Sequence, residues 1–293
     1  MIDLPDVDAH YTLDVTSLDL ERGVVDVNEQ VDISSHQGPI QRLYFTVTTA
    51  QWRYFRLSSI TVNGIPQTPV SLNDGFTLAL DPPTSEHWTV QFAFELDLTQ
   101  VPQDWYGSGM DGDIMRLGYW FPILSTNFPY PSTADPAYTR SATFDVSLPL
   151  PNDVPFVSTG TEVETMAIDA THTRHTLHAD NVRDFAITIV PGGRIDTVKT
   201  SNGVTIRLLS DPSTTSSERS TELAAAKKTI ETLSKLIGPY PYPIFSMANA
   251  GPSLPGGIEF PMFIDVNPDV GSASRLVYHE TAHQWLYGII GTR

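Results

Sequence analysis

The sequence predicts a mainly β protein that continues into an α/β segment. Apolar and polar residues alternate with a period of two over most of the amino-terminal part, Pro191-Gly192-Gly193 ends that pattern, and a helical period follows at 216–237. Because 293 residues exceed the usual size of one hydrophobic core, we expect two domains. These are an amino-terminal antiparallel β-sandwich or saddle at 1–192 and a second domain at 193–293.

The alternating residues of the first domain fall into short runs that are typical of half-buried strands. Tight turns are expected at Asn63-Gly64 and Asp74-Gly75, because both pairs favour the backbone of a hairpin turn. The alternating runs are Val25, Val27, Val31 and Ile33; Leu43, Phe45 and Val47; Phe76, Leu78 and Leu80; Trp88, Val90, Phe92, Phe94, Leu96 and Leu98; Phe144, Val146 and Leu148; and Phe185, Ile187 and Ile189.

Residues 103–136 interrupt the alternation and are rich in glycine, proline and aromatic residues. They have two interpretations, a loop packed by its own aromatic side chains or a wall of a peptide-binding cleft. The composition favours the loop.

Three histidines, His172, His175 and His178, follow at intervals of three residues. On a strand His172 and His178 face one side and His175 faces the other, so the three imidazoles cannot bind one metal ion. They are predicted to lie on a solvated strand edge.

The second domain is expected to begin with a strand at 204–208 and a helix from Ser216 to Ile237, which ends before Gly238-Pro239. Apolar residues at three- and four-residue spacing form a stripe on this helix, and the stripe is predicted to be core. A further strand is expected at 244–247. The stripe consists of Leu223, Ala226, Ile230, Leu233 and Ile237.

Two adjacent glycines, Gly256 and Gly257, precede an apolar run that starts at Ile258. Glycines at this point let another backbone come close, which suits a sheet edge that pairs with an extended peptide. Glu259 would lie on that edge. A hairpin turn with an exposed glutamate is the other interpretation.

The segment His279-Glu280-Thr281-Ala282-His283 carries the strongest chemical pattern of the chain. On a helix His279 and His283 are one turn apart, so their imidazoles can bind a single zinc ion. Glu280 would lie beside the metal, where a carboxylate can take a proton from a water that attacks a peptide carbonyl. An ordinary amphipathic helix is the alternative.

A helix is expected around this motif because Ser272 and Ser274 can cap its start and Gly288 can end it. The apolar residues that close the chain are expected to form a surface that lacks a cover. They are Trp285, Leu286, Ile289 and Ile290.

The composition limits the partners that the chain can have. Lys plus Arg is 17 against 34 acidic residues, and the net charge of −17 disfavours nucleic acid. Cysteine is absent, so a zinc site must use histidine and carboxylate ligands. No apolar run approaches the roughly 18 residues of a membrane span, and the first residues lack the features of a signal peptide.

Together these motifs resemble the zinc aminopeptidase family of gluzincins, the group of alanyl and leucyl aminopeptidases and leukotriene hydrolase. That family has a Gly-Ala-Met-Glu-Asn-like edge strand before a His-Glu-x-x-His helix, and the similar segments here are 256–260 and 279–283. Weaker likenesses bring the resemblance to essentially the whole chain. They are Tyr119-Trp120-Phe121-Pro122, Val182-Arg183-Asp184-Phe185-Ala186 and Gly238-Pro239-Tyr240-Pro241-Tyr242.

The resemblance implies an amino-terminal saddle domain followed by the start of a thermolysin-like catalytic domain. It also implies a zinc-dependent aminopeptidase that acts on peptides. In these roles the zinc ligands are His279 and His283, the general base is Glu280, the carboxylate for the substrate α-ammonium is Glu259, and the residues that line the bound peptide are Gly256, Gly257 and Ile258.

The family's third zinc ligand is a glutamate about 18 residues after the second histidine, which would fall beyond Arg293. The resemblance therefore implies an amino-terminal fragment of a larger peptidase, whose partner is the remaining carboxy-terminal part of the same protein. Two histidines alone should hold zinc weakly, and the fragment itself is expected to be inactive.

Two alternatives stay open. One is a related gluzincin with endopeptidase or glycyl-aminopeptidase preference, and the other is a non-catalytic scaffold or interaction protein with a peptidase-like fold. The aromatic-proline pattern of bacterial relatives favours an extracytoplasmic location.

Overall fold

The structure of the chain is a computed structural model that describes residues 2–3, 6–48, 54–71, 77–102, 105–125, 127–128 and 139–289. Strands dominate it, which confirms the mainly β class. The elements are β1 (Ile2–Asp3), β2 (Val7–Asp19), β3 (Val24–Ser35), β4 (Leu43–Thr46), β5 (Phe55–Val62), β6 (Ile65–Pro66), β7 (Val70–Ser71), β8 (Thr77–Leu80), β9 (His87–Asp97), β10 (Gly109–Asp111), β11 (Ile114–Leu117), β12 (Ile123–Leu124), β13 (Asn127–Phe128), β14 (Ala142–Pro151), β15 (Phe156–Ser158), β16 (Thr161–Ala167), β17 (His172–Val182), β18 (Ile187–Ile189), β19 (Arg194–Lys199), β20 (Thr205–Ser210), α1 (Ser216–Leu236), β21 (Ile244–Asn249), β22 (Gly257–Phe260), β23 (Phe263–Val266) and α2 (Ala273–Ala282).

The largest sheet has eight strands in the order β16-β17-β14-β2-β3-β9-β5-β6. Its neighbouring strands are antiparallel, as predicted, except for β14 and β2, which are parallel. Along β3 and β9 buried residues alternate with more exposed ones, as the period of two predicts. One face of the sheet is therefore core and the other meets solvent.

Two four-stranded antiparallel sheets, β12-β4-β8-β7 and β10-β11-β18-β15, contribute to the core on the buried face of the large sheet. Aromatic rings fill the space between the layers. The ring of Tyr11 stacks on that of Phe144 with their centroids 4.6 Å apart, and the rings of Phe45 and Phe92 meet edge-on at 4.9 Å.

The hairpin turn at Asn63-Gly64 has the predicted left-handed backbone, with φ of 50° and 76°. The second predicted turn, Asp74-Gly75, lies outside the described residues.

Residues 103–136 do not form only a loop. Their described parts contain β10 to β13, and β11 pairs with β18 in the core. The sequence hides these strands because they are two to four residues long, too short for a visible period.

A separate five-stranded sheet carries the carboxy-terminal third of the chain, in the order β19-β20-β21-β23-β22. Its three central strands are parallel, and β19 and β22 close the two edges in antiparallel pairing. Helix α1 connects β20 to β21, as a parallel crossover requires. The division of the chain at 192/193 stays a prediction.

Helix α1 begins with a capping box, in which Thr215 accepts from the Glu218 backbone N–H and the Glu218 side chain accepts from the Thr215 backbone N–H. Ala226 and Ile230 of the predicted stripe are fully buried, whereas Ile237 is 50% exposed. The prediction of Ile237 as core is wrong because the helix ends at Leu236, just before it.

No described helix has the length and apolarity to cross a lipid bilayer.

Candidate metal centre

Helix α2 presents two faces that explain its sequence. Val277 and Thr281 are fully buried against the sheet, and His279 and His283 lie one turn apart on a more exposed face. Ser272 is the N-cap residue, although its side chain makes no capping hydrogen bond. The helix ends at Ala282, so the predicted end at Gly288 is wrong.

The reason for this early end is a change to tighter turns. The Gln284 backbone N–H donates to the Thr281 carbonyl at 3.2 Å, and the Trp285 backbone N–H donates to the Ala282 carbonyl at 3.1 Å. The tightened turn brings Trp285 into the core, where its Nε1 donates to the Gly238 carbonyl at 2.9 Å. Trp285 is 1% exposed, so its predicted place on an uncovered surface is wrong. Leu286 and Ile289 are exposed as expected, and Ile290 lies outside the described residues.

The two imidazoles converge. His279 Nε2 and His283 Nε2 are 3.3 Å apart, and the ring planes are nearly perpendicular at 87°. Two nitrogens that bind one tetrahedral zinc at about 2.0–2.1 Å lie about 3.3–3.4 Å from each other. The separation of the two nitrogens therefore fits a shared zinc ion, and His279, Glu280 and His283 form a cluster with ligand atoms within 4.8 Å of one another.

Glu280 lies under the imidazoles and is 4% exposed. Burial, followed by the charge of Glu259 and a hydrogen bond to it, raises the pKa of Glu280 to about 8. Two carboxyl groups in such close contact repel each other when both are ionised, which acts in the same direction as the burial.

Glu259 reaches the same place from the sheet. It lies on β22, the edge strand, and its Oε1 is 3.6 Å from His283 Nδ1. Its side chain is 14% exposed, so a cation that bound to it would be largely removed from water. The structure therefore brings together Glu259, His279, Glu280 and His283.

The two glycines before Glu259 differ in their surroundings. A Cβ on Gly257 would lie 2.5 Å from Glu280 Cγ, whereas a Cβ on Gly256 would meet nothing within 4 Å. Gly257 thus permits the close approach of α2 to β22. Ile258 is 7% exposed and packs with Tyr119 and Phe263 in a core cluster on the opposite face of the strand from Glu259.

Gln284 is a neighbour of the site that sequence analysis missed. It is 1% exposed, its Nε2 donates to the Phe260 carbonyl at 2.8 Å, and its Oε1 accepts from the Met262 backbone N–H at 2.8 Å. The only signal in the sequence was its position directly after His283.

The rear of the edge hairpin holds a second group of residues that the sequence did not reveal. Asp265 of β23 is 2% exposed and accepts from the Thr188 hydroxyl at 2.8 Å. Burial raises the pKa of Asp265 to about 7, while the charge of the buried Arg116 acts in the opposite direction. These contacts join β23 to β11 and β18.

The aromatic residues of 103–136 also reach this hairpin. The rings of Tyr119 and Phe260 are 5.2 Å apart, and those of Trp105 and Tyr119 are 6.3 Å apart. A Cβ on Gly118 would lie 2.5 Å from the Phe260 ring, so glycine is required for this contact. The aromatic residues support the rear of β22, where Phe260 is fully buried.

The three histidines of β17 do not converge on one point. His172 pairs with Asp169, His175 with Glu162, and His178 with Asp145 and Asp180. Their side chains are partly exposed, but β17 lies between β16 and β14, so the predicted position at a strand edge is wrong.

No protein-family model and no curated protein matches the sequence. The fold, however, is similar to those of solved zinc metallopeptidases. An M1 zinc metallopeptidase from Deinococcus radiodurans has a TM-score of 0.69 at 16% identity, over 99% of this chain and 66% of that chain. A mutant of that enzyme with a bound Tyr-Ser-Ala substrate has a TM-score of 0.66 at 16% identity, over 97% of this chain and 66% of that chain.

A two-domain M1 zinc metallopeptidase mutant bound to L-arginine gives a TM-score of 0.68 at 15% identity, over 97% of this chain and 66% of that chain. The chain thus spans about 66% of the length of these structures. At such identities the similarity establishes the fold, which is that of an M1 zinc metallopeptidase over the aligned part.

Proposed function

We propose that the chain is an amino-terminal portion of a zinc-dependent aminopeptidase. The observation that carries this proposal is the 3.3 Å separation of His279 Nε2 and His283 Nε2, beside a buried Glu280. This separation equals the distance expected between two nitrogen ligands of one zinc ion. The similarity to M1 zinc metallopeptidases supports the same assignment.

His279 and His283 would hold the zinc ion through Nε2. When bound, the ion would supply Lewis-acid polarisation of a peptide carbonyl and lower the pKa of a water molecule. Glu280 is the group that takes the proton from the attacking water, because its carboxylate lies against the imidazoles and is shielded from solvent.

Glu259 is the residue that makes the enzyme an exopeptidase. Its carboxylate lies at the edge strand, and Oε1 is 3.6 Å from Nδ1 of His283, so it is next to a proposed metal ligand. A substrate α-ammonium bound there would place the first peptide bond next to Glu280. A peptide whose amino end is blocked would bring no positive charge to Glu259.

The edge position of β22 supports a peptide substrate. A substrate in extended conformation can pair with an exposed strand and add to the sheet. The peptide-bound M1 zinc metallopeptidase agrees with this class of substrate.

Residues 284–293 contain no Asp, Glu or His, so this segment offers no third ligand of the usual kind. We therefore expect weak zinc binding and little or no activity from the 293-residue chain itself.

Zinc titration of the 293-residue chain by calorimetry tests the metal site. We expect one ion per chain in the parent and its loss in His279→Gln and His283→Gln. His172→Gln is the matched control, because His172 lies on β17 and pairs with Asp169. Unchanged zinc binding in the first two variants would contradict the proposal.

The catalytic part of the proposal needs a protein that extends beyond Arg293. Such a protein should hydrolyse aminoacyl chromogenic substrates, and a chelator should abolish the hydrolysis. Hydrolysis that persists in the chelator would exclude the zinc mechanism, and a complete lack of hydrolysis would favour the scaffold.

A further inference from the structure

The backbone of the turn between β22 and β23 forms hydrogen bonds with three other parts of the chain. The Pro261 carbonyl accepts from the Thr159 hydroxyl at 2.9 Å, and the Met262 carbonyl accepts from the Ser246 backbone N–H at 2.8 Å. Met262 adopts a left-handed φ of 63°, which is costly for a residue with a side chain. The hydrogen bonds therefore maintain a tight turn that the residue would not favour alone.

The two remaining groups of the turn bind to one side chain on another element. Gln284 donates to the Phe260 carbonyl and accepts from the Met262 N–H, both at 2.8 Å. Only one orientation of an amide can donate and accept in this way, so the bonds fix the side chain in space. Both bonds are buried, so loss of the side-chain amide would leave the Phe260 carbonyl and the Met262 N–H without these partners.

The contact of Gln284 with the turn links two segments that carry residues of the proposed site. Glu259 directly precedes Phe260, and His283 directly precedes Gln284. The two hydrogen bonds of Gln284 thus connect the residue after a proposed zinc ligand to the turn that follows the proposed α-ammonium carboxylate. A shift of β22 relative to Gln284 must break them.

We propose that Gln284 is a positioning residue that sets Glu259 against the two imidazoles, and so determines how well the site distinguishes a free amino terminus from a blocked one. This inference rests on the proposed function. Gln284 is not one of the proposed ligands, and it acts through the backbone of the turn.

The test compares Tyr-Ser-Ala with its amino-terminally acetylated form as ligands of the 293-residue chain in saturating zinc. The measured quantity is the ratio of the two dissociation constants. Gln284→Met removes both hydrogen bonds at similar volume, and we expect the preference for the free amine to fall about tenfold, which corresponds to the loss of about 1.4 kcal/mol. The zinc affinity should stay within about threefold, because both histidines remain.

A second variant keeps the test open if Gln284→Met does not fold. Gln284→Asn keeps the amide but is one methylene shorter, so it cannot bind the Phe260 carbonyl and the Met262 N–H together, and its preference should fall as well. Hydrogen exchange of the Met262 N–H provides an independent readout for Gln284→Met, where it should accelerate.

Trp285→Phe is the matched control. It removes one hydrogen bond of the next residue, but that bond joins the segment after α2 to Gly238 and not to β22. We expect it to lower the melting temperature and to leave the preference unchanged.

The outcomes separate the inference from the proposed function. A parent chain with no preference for the free amine would overturn both. A clear preference in the parent that persists in the folded Gln284 variants would overturn only the role of Gln284. An equal loss in Trp285→Phe would also overturn it, since general loosening would then explain the effect.

Discussion

Gly257 lies directly against the side chain of Glu280, so close that a Cβ at this position would fall 2.5 Å from Glu280 Cγ and 2.6 Å from Oε1. The strand that carries Glu259 and the helix that carries both histidines are in contact at this point. The absence of a side chain at Gly257 permits their present separation.

Gly257→Ala should therefore destabilise the protein by about 1–3 kcal/mol, the usual cost of overpacking. It should also weaken zinc binding, since either β22 or Glu280 must move. Gly256→Ala provides the matched control, because its Cβ would meet nothing within 4 Å. Chemical unfolding and zinc titration of both variants check this, and equal behaviour of the two alanines would contradict the prediction.

Glu259→Gln should abolish the preference for a free amino terminus. The amide keeps the size of the side chain but cannot form a charge-assisted bond with an ammonium group. Zinc affinity should be retained, because Glu259 is not a proposed ligand. Competition between free and acetylated Tyr-Ser-Ala measures the effect, and a variant that still prefers the free amine would show that another group holds it.

Glu222 of α1 makes the stability of the protein depend on pH. It is fully buried, both carboxylate oxygens lack a hydrogen-bond partner among the described residues, and burial, followed by the charge of Glu218, raises its pKa from 4.5 to about 7. The folded state thus binds the proton more tightly than the unfolded state. Stability from this group is complete below pH 4.5 and decreases as the pH rises to about 7.

Glu222→Gln should remove this dependence, which amounts to about 3 kcal/mol. Urea unfolding of parent and variant at pH 5 and at pH 8 measures it, with Glu21→Gln, a substitution of an exposed glutamate, as the control. The difference between parent and variant should change with pH. A constant difference would mean that Glu222 does not titrate in this range.

The sequence predicted those parts of the fold that follow a regular period. The alternation along β3 and β9 identified long strands, and the stripe and capping residues identified α1 within one residue of its observed end. The motif at 279–283 and the strand at 257–260 were also found from sequence, because their chemistry depends on local spacing.

Features that depend on tertiary contact could not be predicted. Gln284 and Phe260 are joined across two elements, and Asp265 meets Thr188 across 77 residues, with no periodic signal for either contact. The end of α2 was wrong for the same reason, because Trp285 turns into the core to reach Gly238. Local residue preferences do not predict such long-range packing.

The raised pKa values of Glu222, Asp265 and Glu280 have a common consequence. All three belong to buried side chains, so near neutral pH the native protein should retain hydrogen ions that an unfolded chain would release to the buffer. The native molecule should consequently migrate in an electric field as a less negative particle than its formal charge of −17 implies.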